Sequence, residues 1–360
     1  MIANDTTYVY NLRYEVIERL IQTGYEVTVV CERQLHEDKI KESGAVVIPM
    51  SIKRHSKNPF TDLSMLLLFK KMIRRHRPDV VLTYNIKPNI YAGMVCRMFH
   101  IPYITNITGL GTAVEYPGLM QRITLFLYQI ALKEAACVFF QNSENREFFT
   151  QNHIIRRKSR LLPGSGVNLG KYPVLEYPDT EEVHFLFVAR ILKEKGIDQY
   201  LEAAGEIRKE HKKVYFHVIG GCDDEHYVAI LQRENENGNI VYHGLQKNMS
   251  EYQKMSSCMV LPSYYPEGMN NVLLESAASG RPVITTSRSG CGEIVEDGVT
   301  GFLVKEKDTR DLVCKIEKFL SMSYEERRAM GLAGRRKVER EFDRERVVKA
   351  YIDEIKGLEG

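Results

Sequence analysis

The feature that most constrains the fold is a twofold alternation of short β-prone runs with helix-length segments along the 360 residues. Each run is rich in Val, Ile and aromatic residues, and this alternation is typical of a parallel sheet with crossover helices. The first set lies at residues 25–31, 45–49, 79–84, 102–105 and 137–141; the second lies at 183–188, 214–219, 240–242, 258–261 and 282–285. Pro- and Gly-containing stretches at 161–166 and 172–179 separate the sets and predict a linker.

The alternation predicts an α/β protein with two Rossmann-like domains. We place the first domain at residues 1–165 and the second at 166–342, and we expect 343–360 to form a C-terminal helical tail that packs back on the body. Doubly wound sheets bind ligands outside the carboxyl ends of their strands. Two such domains facing each other would therefore form one cleft, with the chemistry in the loops that follow strands.

Composition excludes several other classes of protein. The hydrophobic fraction of 44% supports a buried core, and the seven scattered cysteines contain no Cys-x-x-Cys pair, which argues against a disulfide framework or a zinc clip. The longest charge-free apolar stretch that we tested, residues 123–132, is about half of the ~20 residues that a membrane span needs. The first residues do not resemble a secretory signal, so we expect a cytoplasmic protein.

The net charge of +3 conceals an asymmetry between the two halves. Residues 1–165 hold 22 Lys and Arg against 14 Asp and Glu, whereas the remainder holds 28 against 33. A basic half is compatible with nucleic acid, an anionic membrane or a phosphorylated ligand. Charge alone does not choose among these partners.

The most informative local motif runs from Pro262 to Glu275, where a strand is followed by a Pro-Glu-Gly turn and a helix. Backbone N–H groups at a helix start favour an anion such as phosphate. Glu267 would sit in the turn, and Glu275 would lie where a carboxylate can accept from a ribose diol. The alternative is a first-turn glutamate stabilised by the helix dipole, plus a surface glutamate.

A second motif follows the strand at 183–188, where Arg190 and Lys195 both precede a predicted helix. An arginine fork and a lysine charge suit a diphosphate leaving group. Taken alone, the pair could equally be two solvated surface cations.

These motifs resemble those of the retaining glycosyltransferases of family 4, which have the GT-B fold. The resemblance rests on Arg190 with Lys195-Gly196, on Glu267 and Glu275, and on two glycine motifs, Gly220-Gly221 and the run 298–304. It implies that Arg190 and Lys195 bind the donor diphosphate and that Glu267, near the reacting carbon, completes the catalytic set. It further implies a donor site with no metal or other cofactor, formed by Glu275, Gly268, Met269, Asn270, Asn271, Val272, Gly220, Gly244 and Leu245.

The N-terminal half is similar to the bacterial members that extend lipid-linked sugars for capsule, O-antigen or N-glycan assembly. The runs 84–89 and 108–112 carry this narrower similarity. Lys87 lies between a strand end and a helix start, where its charge could hold the diphosphate of a polyprenyl acceptor. The acceptor site is therefore expected to contain Lys87, Asn89, Thr108, Gly109, Asn4 and Arg13, with residues 4–13 forming a loop.

A basic segment of helical pattern follows in the range 63–77. It places Lys70, Lys71, Arg74 and Arg75 beside apolar residues, a pattern compatible with an anionic membrane surface. The alternative is that the leucines are core and the cations are solvated. Other basic clusters, such as Lys53-Arg54, lack interleaved aromatic residues, so no nucleic-acid partner is predicted.

The sequence thus favours a retaining, metal-independent hexosyltransferase that uses a UDP-sugar and a polyprenyl-diphosphate-linked saccharide. We expect it to be peripheral on the inner face of the plasma membrane. One alternative is a nucleotide-sugar 2-epimerase of the same architecture, which would consume donor without an acceptor. A second is a membrane-bound scaffold that binds nucleotide without turnover.

Overall fold

The computed structural model describes residues 1–52, 58–111, 114 and 117–359. Contacts divide the chain into two compact units. The N-terminal unit comprises Met1–Gly166, Pro266–Met269 and Arg344–Gly360, and the C-terminal unit comprises Val167–Tyr265 and Asn270–Asp343. Four residues of the Pro262 to Glu275 motif therefore belong to a different unit from the rest of that motif.

The N-terminal unit contains a parallel sheet of seven strands in the order β3-β2-β1-β4-β5-β6-β7. The strands are β1 (Ile2–Asp5), β2 (Thr28–Glu32), β3 (Val46–Pro49), β4 (Val81–Tyr84), β5 (Tyr103–Ile107), β6 (Cys137–Phe140) and β7 (Ser159–Leu161). The helices are α1 (Thr6–Gln22), α2 (Glu37–Glu42), α3 (Pro59–His76), α4 (Ile86–Met98), α5 (Leu119–Ala131), α6 (Ser143–Gln151) and α13 (Arg344–Lys356).

The C-terminal unit contains a parallel sheet of six strands in the order β10-β9-β8-β11-β12-β13. The strands are β8 (Val183–Val188), β9 (Val214–Ile219), β10 (Val241–Tyr242), β11 (Cys258–Leu261), β12 (Val283–Thr286) and β13 (Gly301–Val304). The helices are α7 (Ile197–Glu210), α8 (Glu225–Glu236), α9 (Ser250–Met255), α10 (Asn271–Ala278), α11 (Thr309–Leu320) and α12 (Tyr324–Glu341). The prediction of two Rossmann-like units is confirmed.

Both faces of the N-terminal sheet are covered, which explains why its strands are almost continuously apolar. Successive residues of a strand point to opposite faces, so Val81 joins one core while Leu82 joins the other. The first core is shared with α3, α4, α5 and α6, and the second with α1, α2 and α13. The sheet is therefore the middle of three layers.

The C-terminal helix α13 is part of the second core. The Tyr351 ring packs edge-on against Phe139 with centroids 4.8 Å apart, and its hydroxyl accepts a hydrogen bond from Asn106 Nδ2 at 2.5 Å. At the start of the helix, Arg344 Nη1 lies 2.9 Å from a carboxylate oxygen of Glu15 on α1. This helix thus closes the N-terminal unit from the far end of the chain.

The predicted loop at residues 4–13 was wrong. Asn4 and Asp5 end β1, and α1 begins at Thr6 because the Asp5 carboxylate accepts the Tyr8 N–H at 2.8 Å as an N-cap. Arg13 consequently lies on the inner face of a helix and is fully buried.

Candidate functional site

The candidate donor site lies where the strand order of the C-terminal sheet reverses, between β8 and β11. At such a switch point the loops that follow the two strands diverge and leave a crevice. Here the two loops are joined at one place, because the Tyr264 N–H donates to the Glu194 carbonyl at 2.8 Å. This bond fixes the turn that carries Lys195 to the loop that follows β11.

Arg190 and Lys195 both follow β8 at this edge. Arg190 is exposed, and Lys195 ends a short 3₁₀ turn with its Nζ 4.8 Å from the centroid of the Tyr265 ring. Gly196 then adopts φ +78°, a conformation that favours glycine, and a Cβ there would meet the Pro262 carbonyl. The glycine therefore lets the turn approach the loop after β11 closely.

The helix α10 carries Glu275 one turn inside its start. It starts at Asn271, because Asn270 Oδ1 accepts the Leu273 N–H at 3.2 Å. The Asn270 N–H in turn donates a hydrogen bond to the Gly290 carbonyl at 2.8 Å. Among the predicted donor-site residues from Gly268 to Val272, only Asn271 and Val272 have amides in the first turn of the helix, where no intrahelical acceptor exists.

Glu293 supports this helix start and was missed from the sequence. Its carboxylate accepts from the Ser289 hydroxyl at 2.9 Å and from the Gly290 N–H at 2.7 Å. Because the Gly290 carbonyl holds Asn270, Glu293 positions the N-cap of α10 through one intervening residue. Its place in the loop after β12, at the same edge of the sheet as Arg190, was the available signal.

The glycine loops after β9 and β10 lie beside the loop that carries Arg190. The Gly220 N–H donates to the Gly244 carbonyl at 2.9 Å, and a Cβ on Gly220 would collide with the Ala189 carbonyl. Leu245 is 76% exposed. The donor-site glycines are thus assembled next to Arg190, which the resemblance assigns to the diphosphate.

The candidate acceptor residues occupy the equivalent place in the N-terminal sheet, where the order reverses between β1 and β4. The Asn4 N–H donates to Asn85 Oδ1 at 3.2 Å and so ties the two strand ends together. Lys87 lies in the first turn of α4 with its Nζ 2.9 Å from Asp62 Oδ1 on α3. Asp62, which the sequence did not single out, also raises the pKa of Tyr91 through a hydrogen bond, after the larger effect of burial.

Two residues predicted to bind the acceptor are buried instead. Asn89 is 1% exposed and donates to the Asn106 carbonyl at 2.9 Å. The Arg13 guanidinium lies 4.9 Å from the Tyr84 ring centroid and 3.2 Å from the Tyr8 hydroxyl. Burial raises the pKa of Tyr8 to about 12, so Tyr8 stays neutral at physiological pH. Neither side chain is placed to contact a ligand directly.

The backbone of Glu267 and Gly268 is held within the N-terminal unit. Asn142 Nδ2 donates to both carbonyls, at 3.0 Å and 2.7 Å respectively. Gly268 also packs closely on residues 108 and 109. A Cβ on Gly109 would lie 3.1 Å from the Gly268 nitrogen, and a Cβ on Gly268 would lie 2.6 Å from the Thr108 carbonyl oxygen. Thr108 and Gly109, predicted for the acceptor, are thus brought beside Glu267, predicted for the donor.

Asn142 was also missed from the sequence. It is 2% exposed, and its Oδ1 accepts the Asn145 N–H at 2.8 Å as the N-cap of α6. One side chain therefore starts a helix and fixes the Glu267 turn. Its only sequence signal was its position directly after a strand.

The basic helix α3 is partly core and partly surface. Met65, Phe69 and Ile73 are buried, whereas Leu67 and Leu68 are about half exposed. The cations Lys71, Arg74 and Arg75 are exposed and Lys70 is partly exposed. The exposed cations are compatible with both interpretations of the segment, and contact with a membrane stays a prediction. Lys53, Arg54 and Thr112 lie outside the described residues.

Potential metal ligands are grouped at one place among the residues that the structure describes. Glu210, His211 and Glu317 offer ligand atoms within 4.8 Å of one another. Glu210 and His211 precede β9 and Glu317 lies near the end of α11, so the group is at the sheet edge opposite to Arg190. In the same described part of the chain, no helix has the length and apolar character needed to cross a bilayer.

Comparison with protein families gives two matches that together cover most of the chain. A family model described as "Glycosyl transferases group 1" matches residues 176–337, and one described as "Glycosyl transferase 4-like" matches residues 1–142. Each match spans one of the two sets of alternating strands and helices.

Two relatives match this chain along most of their own length. The chain is 26% identical over 329 residues to the N,N'-diacetylbacillosaminyl-diphospho-undecaprenol alpha-1,3-N-acetylgalactosaminyltransferase of Campylobacter jejuni, covering 87% of this chain and 86% of that protein. It is 26% identical over 343 residues to the capsular polysaccharide biosynthesis glycosyltransferase CapM of Staphylococcus aureus, covering 91% and 88%.

Solved structures give the same fold. A glycosyltransferase from Rickettsia africae superposes with a TM-score of 0.80 at 18% identity and covers 99% of this chain and 98% of its own. The Anabaena protein HepE, in complex with UDP and glucose, superposes with a TM-score of 0.81 at 13% identity and the same coverage. The two family matches and the fold together identify the chain as a glycosyltransferase of the GT-B fold, with residues 176–337 similar to the group 1 family and residues 1–142 similar to the 4-like family.

Proposed function

We propose that this glycosyltransferase moves a hexose or N-acetylhexosamine from a UDP-sugar to a polyprenyl-diphosphate-linked saccharide, with retention of anomeric configuration. The observation that carries the donor half is the position of Arg190 and Lys195 at the switch point of the C-terminal sheet. The name of the C. jejuni relative supports a lipid-linked acceptor, and that of the S. aureus relative supports the assembly of a surface polysaccharide. The UDP complex of HepE supports the nucleotide.

In the proposed reaction the bond between the anomeric carbon and the diphosphate oxygen breaks. The bonding electrons leave with the UDP, and Arg190 and Lys195 stabilise the charge that develops on it. The acceptor hydroxyl attacks the same face of the oxocarbenium-like centre, and its proton passes to the departing diphosphate. Glu267 contacts the donor sugar, and Glu275 accepts from the ribose hydroxyls.

We propose that no metal is needed for this reaction. Two side-chain cations can supply the positive charge that Mg²⁺ or Mn²⁺ supplies in other diphosphate sites. Addition of EDTA is therefore expected to leave the rate of transfer unchanged, and restoration of a lost rate by Mn²⁺ or Mg²⁺ would contradict this part of the proposal.

For the acceptor we propose that Lys87 holds the diphosphate at the start of α4, where the positive end of the helix dipole adds to its charge. The lysine must then exchange Asp62 for the ligand. The cations Lys70, Lys71, Arg74 and Arg75 of α3 would contact anionic lipids, so that the enzyme works at the inner face of the membrane that carries its acceptor.

The decisive experiment incubates the protein with each of a panel of UDP- and GDP-sugars, with and without a polyprenyl-diphosphate-linked sugar, and measures free nucleoside diphosphate. Release from a UDP-sugar that requires the lipid is the expected result. Release without an acceptor would indicate the 2-epimerase or simple hydrolysis, and nucleotide binding with no release at all would indicate a scaffold. Analysis of the anomeric linkage in the product by NMR then tests retention.

A further inference from the structure

The exposed apolar side chains of this protein are concentrated on two helices of one layer. Of the seventeen large apolar residues that are exposed among the described residues, eight lie on α3 and α5. On α5 the exposed residues are Leu119, Met120, Ile123 and Phe126, at 75, 44, 45 and 60%. On α3 they are Phe60, Leu63, Leu67 and Leu68, at 81, 56, 53 and 45%. We call these eight residues the α3–α5 apolar surface.

The two rows have the spacing of a helix face rather than a random scatter. Leu119, Ile123 and Phe126 are separated by four and three residues and so lie on one side of α5. Phe60, Leu63 and Leu67 do the same on α3. Meanwhile Tyr128 and Phe69 point inward to the core. Each helix therefore has a second apolar face in addition to the one that packs on the sheet.

The two faces belong to the same side of the N-terminal unit. Both α3 and α5 pack against α4 and share one hydrophobic core with it. Each of these helices starts at the carboxyl edge of the parallel sheet, because each leads from the end of one strand to the start of the next. The first turns of α3 and α5 therefore flank the first turn of α4, which carries Lys87.

The charge around this surface is almost entirely positive. α5 contains Arg122 and no acidic residue, and the one acidic residue of α3, Asp62, is paired with Lys87. The cations Lys71, Arg74 and Arg75 occupy the second half of α3, about 20 Å from Phe60 at 1.5 Å rise per residue. Apolar side chains bordered by cations match the boundary between the acyl chains and the head groups of an anionic bilayer.

We infer that the α3–α5 apolar surface inserts into the anionic leaflet that carries the acceptor, with α5 as the apolar anchor and the cations of α3 on the lipid head groups. This inference rests on the proposed function in one respect, because the proposed lipid-linked acceptor identifies which membrane is bound. A twofold interface between two copies of this chain fits less well, because it would bring the cations of α3 against the same cations or against apolar side chains. Insertion in this orientation would place Lys87 near the level of a lipid diphosphate.

The test measures binding to vesicles without any nucleotide sugar, so its outcome does not depend on transfer. The full chain is floated with vesicles of phosphatidylcholine alone or of phosphatidylcholine with phosphatidylglycerol. We expect binding to the anionic vesicles, with partial loss between about 0.1 M and 1 M salt as the Debye length falls from ~10 to ~3 Å. The double variant Ile123→Ser/Phe126→Ser should bind about tenfold more weakly or worse at both salt concentrations.

Two controls separate insertion from misfolding. Ile123→Leu/Phe126→Leu keeps the apolar character and should restore binding, whereas Val46→Ser, at a side chain that is 59% exposed on β3, should change nothing. The serine variant should retain transfer to a short-chain, water-soluble acceptor. If the serine variant has a normal circular dichroism spectrum but does not transfer sugar to the water-soluble acceptor, the assignment of α5 as a lipid anchor is overturned.

Two further results would overturn the inference. One is flotation of the serine variant equal to that of the unaltered protein. The other is a dimer in light scattering that the serine substitutions dissociate, since the apolar surface would then be covered by a second copy. Absence of sugar transfer with intact vesicle binding would instead contradict the proposed function alone.

Discussion

At the scale of single residues, the candidate chemistry depends on two cations, of which one is exposed and the other partly exposed. Arg190 is exposed at the end of β8, and Lys195 contacts Tyr265 at the surface of a turn. Removal of one cation that stabilises a leaving group costs on the order of 10²–10³ in turnover. We expect Arg190→Ala and Lys195→Ala each to lose this much in kcat while the midpoint of urea unfolding stays within error.

The matched control for these variants is Arg336→Ala, which removes an exposed cation from α12 in the same unit. Its kcat should be unchanged. Full activity of Arg190→Ala, measured with the donor that the panel identifies, would remove this residue from the catalytic set.

Asn142 combines a structural and a positioning role, and two substitutions separate them. Asn142→Asp keeps an acceptor for the Asn145 N–H but places a carboxylate against the Glu267 and Gly268 carbonyls. We expect it to lower kcat more than it lowers the free energy of unfolding, because the cap survives. Asn142→Ala should also lose about 1–2 kcal/mol for the N-cap.

Urea unfolding and steady-state kinetics measure both effects of Asn142. Asp224→Ala, which removes the N-cap of α8, provides the comparison, since it should lose a similar stability with no effect on kcat. Equal kinetics for Asn142→Asp and the unaltered protein would show that the Glu267 turn does not need this anchor.

At the scale of secondary-structure elements, three histidines cross the C-terminal sheet in a diagonal row. His184 Nδ1 lies 3.0 Å from His217 Nε2, and His217 Nδ1 lies 3.0 Å from His243 Nε2. The rings stack at 5.2 Å between centroids. Burial lowers the pKa of all three, and that of His217 falls to about 3 from a usual 6.5, with its two neighbours adding to the effect.

This row makes the stability of the C-terminal unit dependent on pH. Between pH 6.5 and about 3 the unfolded chain binds a proton at His217 that the folded chain does not bind. The contribution of His217 to the free energy of unfolding is therefore fully present above pH 6.5. Below pH 6.5 it decreases by about 1.4 kcal/mol for each pH unit. His217→Gln should flatten the decline in urea unfolding from pH 6.5 to 5, whereas substitution of the exposed His76 on α3 should leave it unchanged. A decline as steep in His217→Gln would assign the pH dependence to other groups.

At the scale of the whole molecule, the proposed division of labour predicts where ligands slow amide hydrogen exchange. UDP should protect residues 190–196, 220–222 and 244–246 and the start of α10, because these surround the switch point of the C-terminal sheet. Residues 85–89 and 108–111 of the N-terminal unit should respond to the lipid-linked acceptor. Protection by UDP at 85–89 without change at 190–196 would reverse the assignment of the two units.

Much of this organisation could be predicted from sequence, because both sheets are buried on two faces and their strands are nearly uninterrupted apolar runs. The failures have a common cause in contacts between residues distant in sequence. Arg13 was predicted to bind the acceptor from a loop, and only Tyr84 and Tyr351 from other elements reveal that it is enclosed. Asp62 meets Lys87 across 25 positions, and Asn142 meets Glu267 across 125.

The position of α13 in the N-terminal unit has a consequence for biosynthesis. The core around Tyr84 and Phe139 lacks Tyr351 until residues 344–356 have left the ribosome. At 5–20 residues per second, the 194 residues that separate Gly166 from Gly360 take about 10–40 s to translate. During that interval the nascent N-terminal unit exposes an apolar groove. The unit whose synthesis begins first is therefore completed only after the C-terminal unit has been translated.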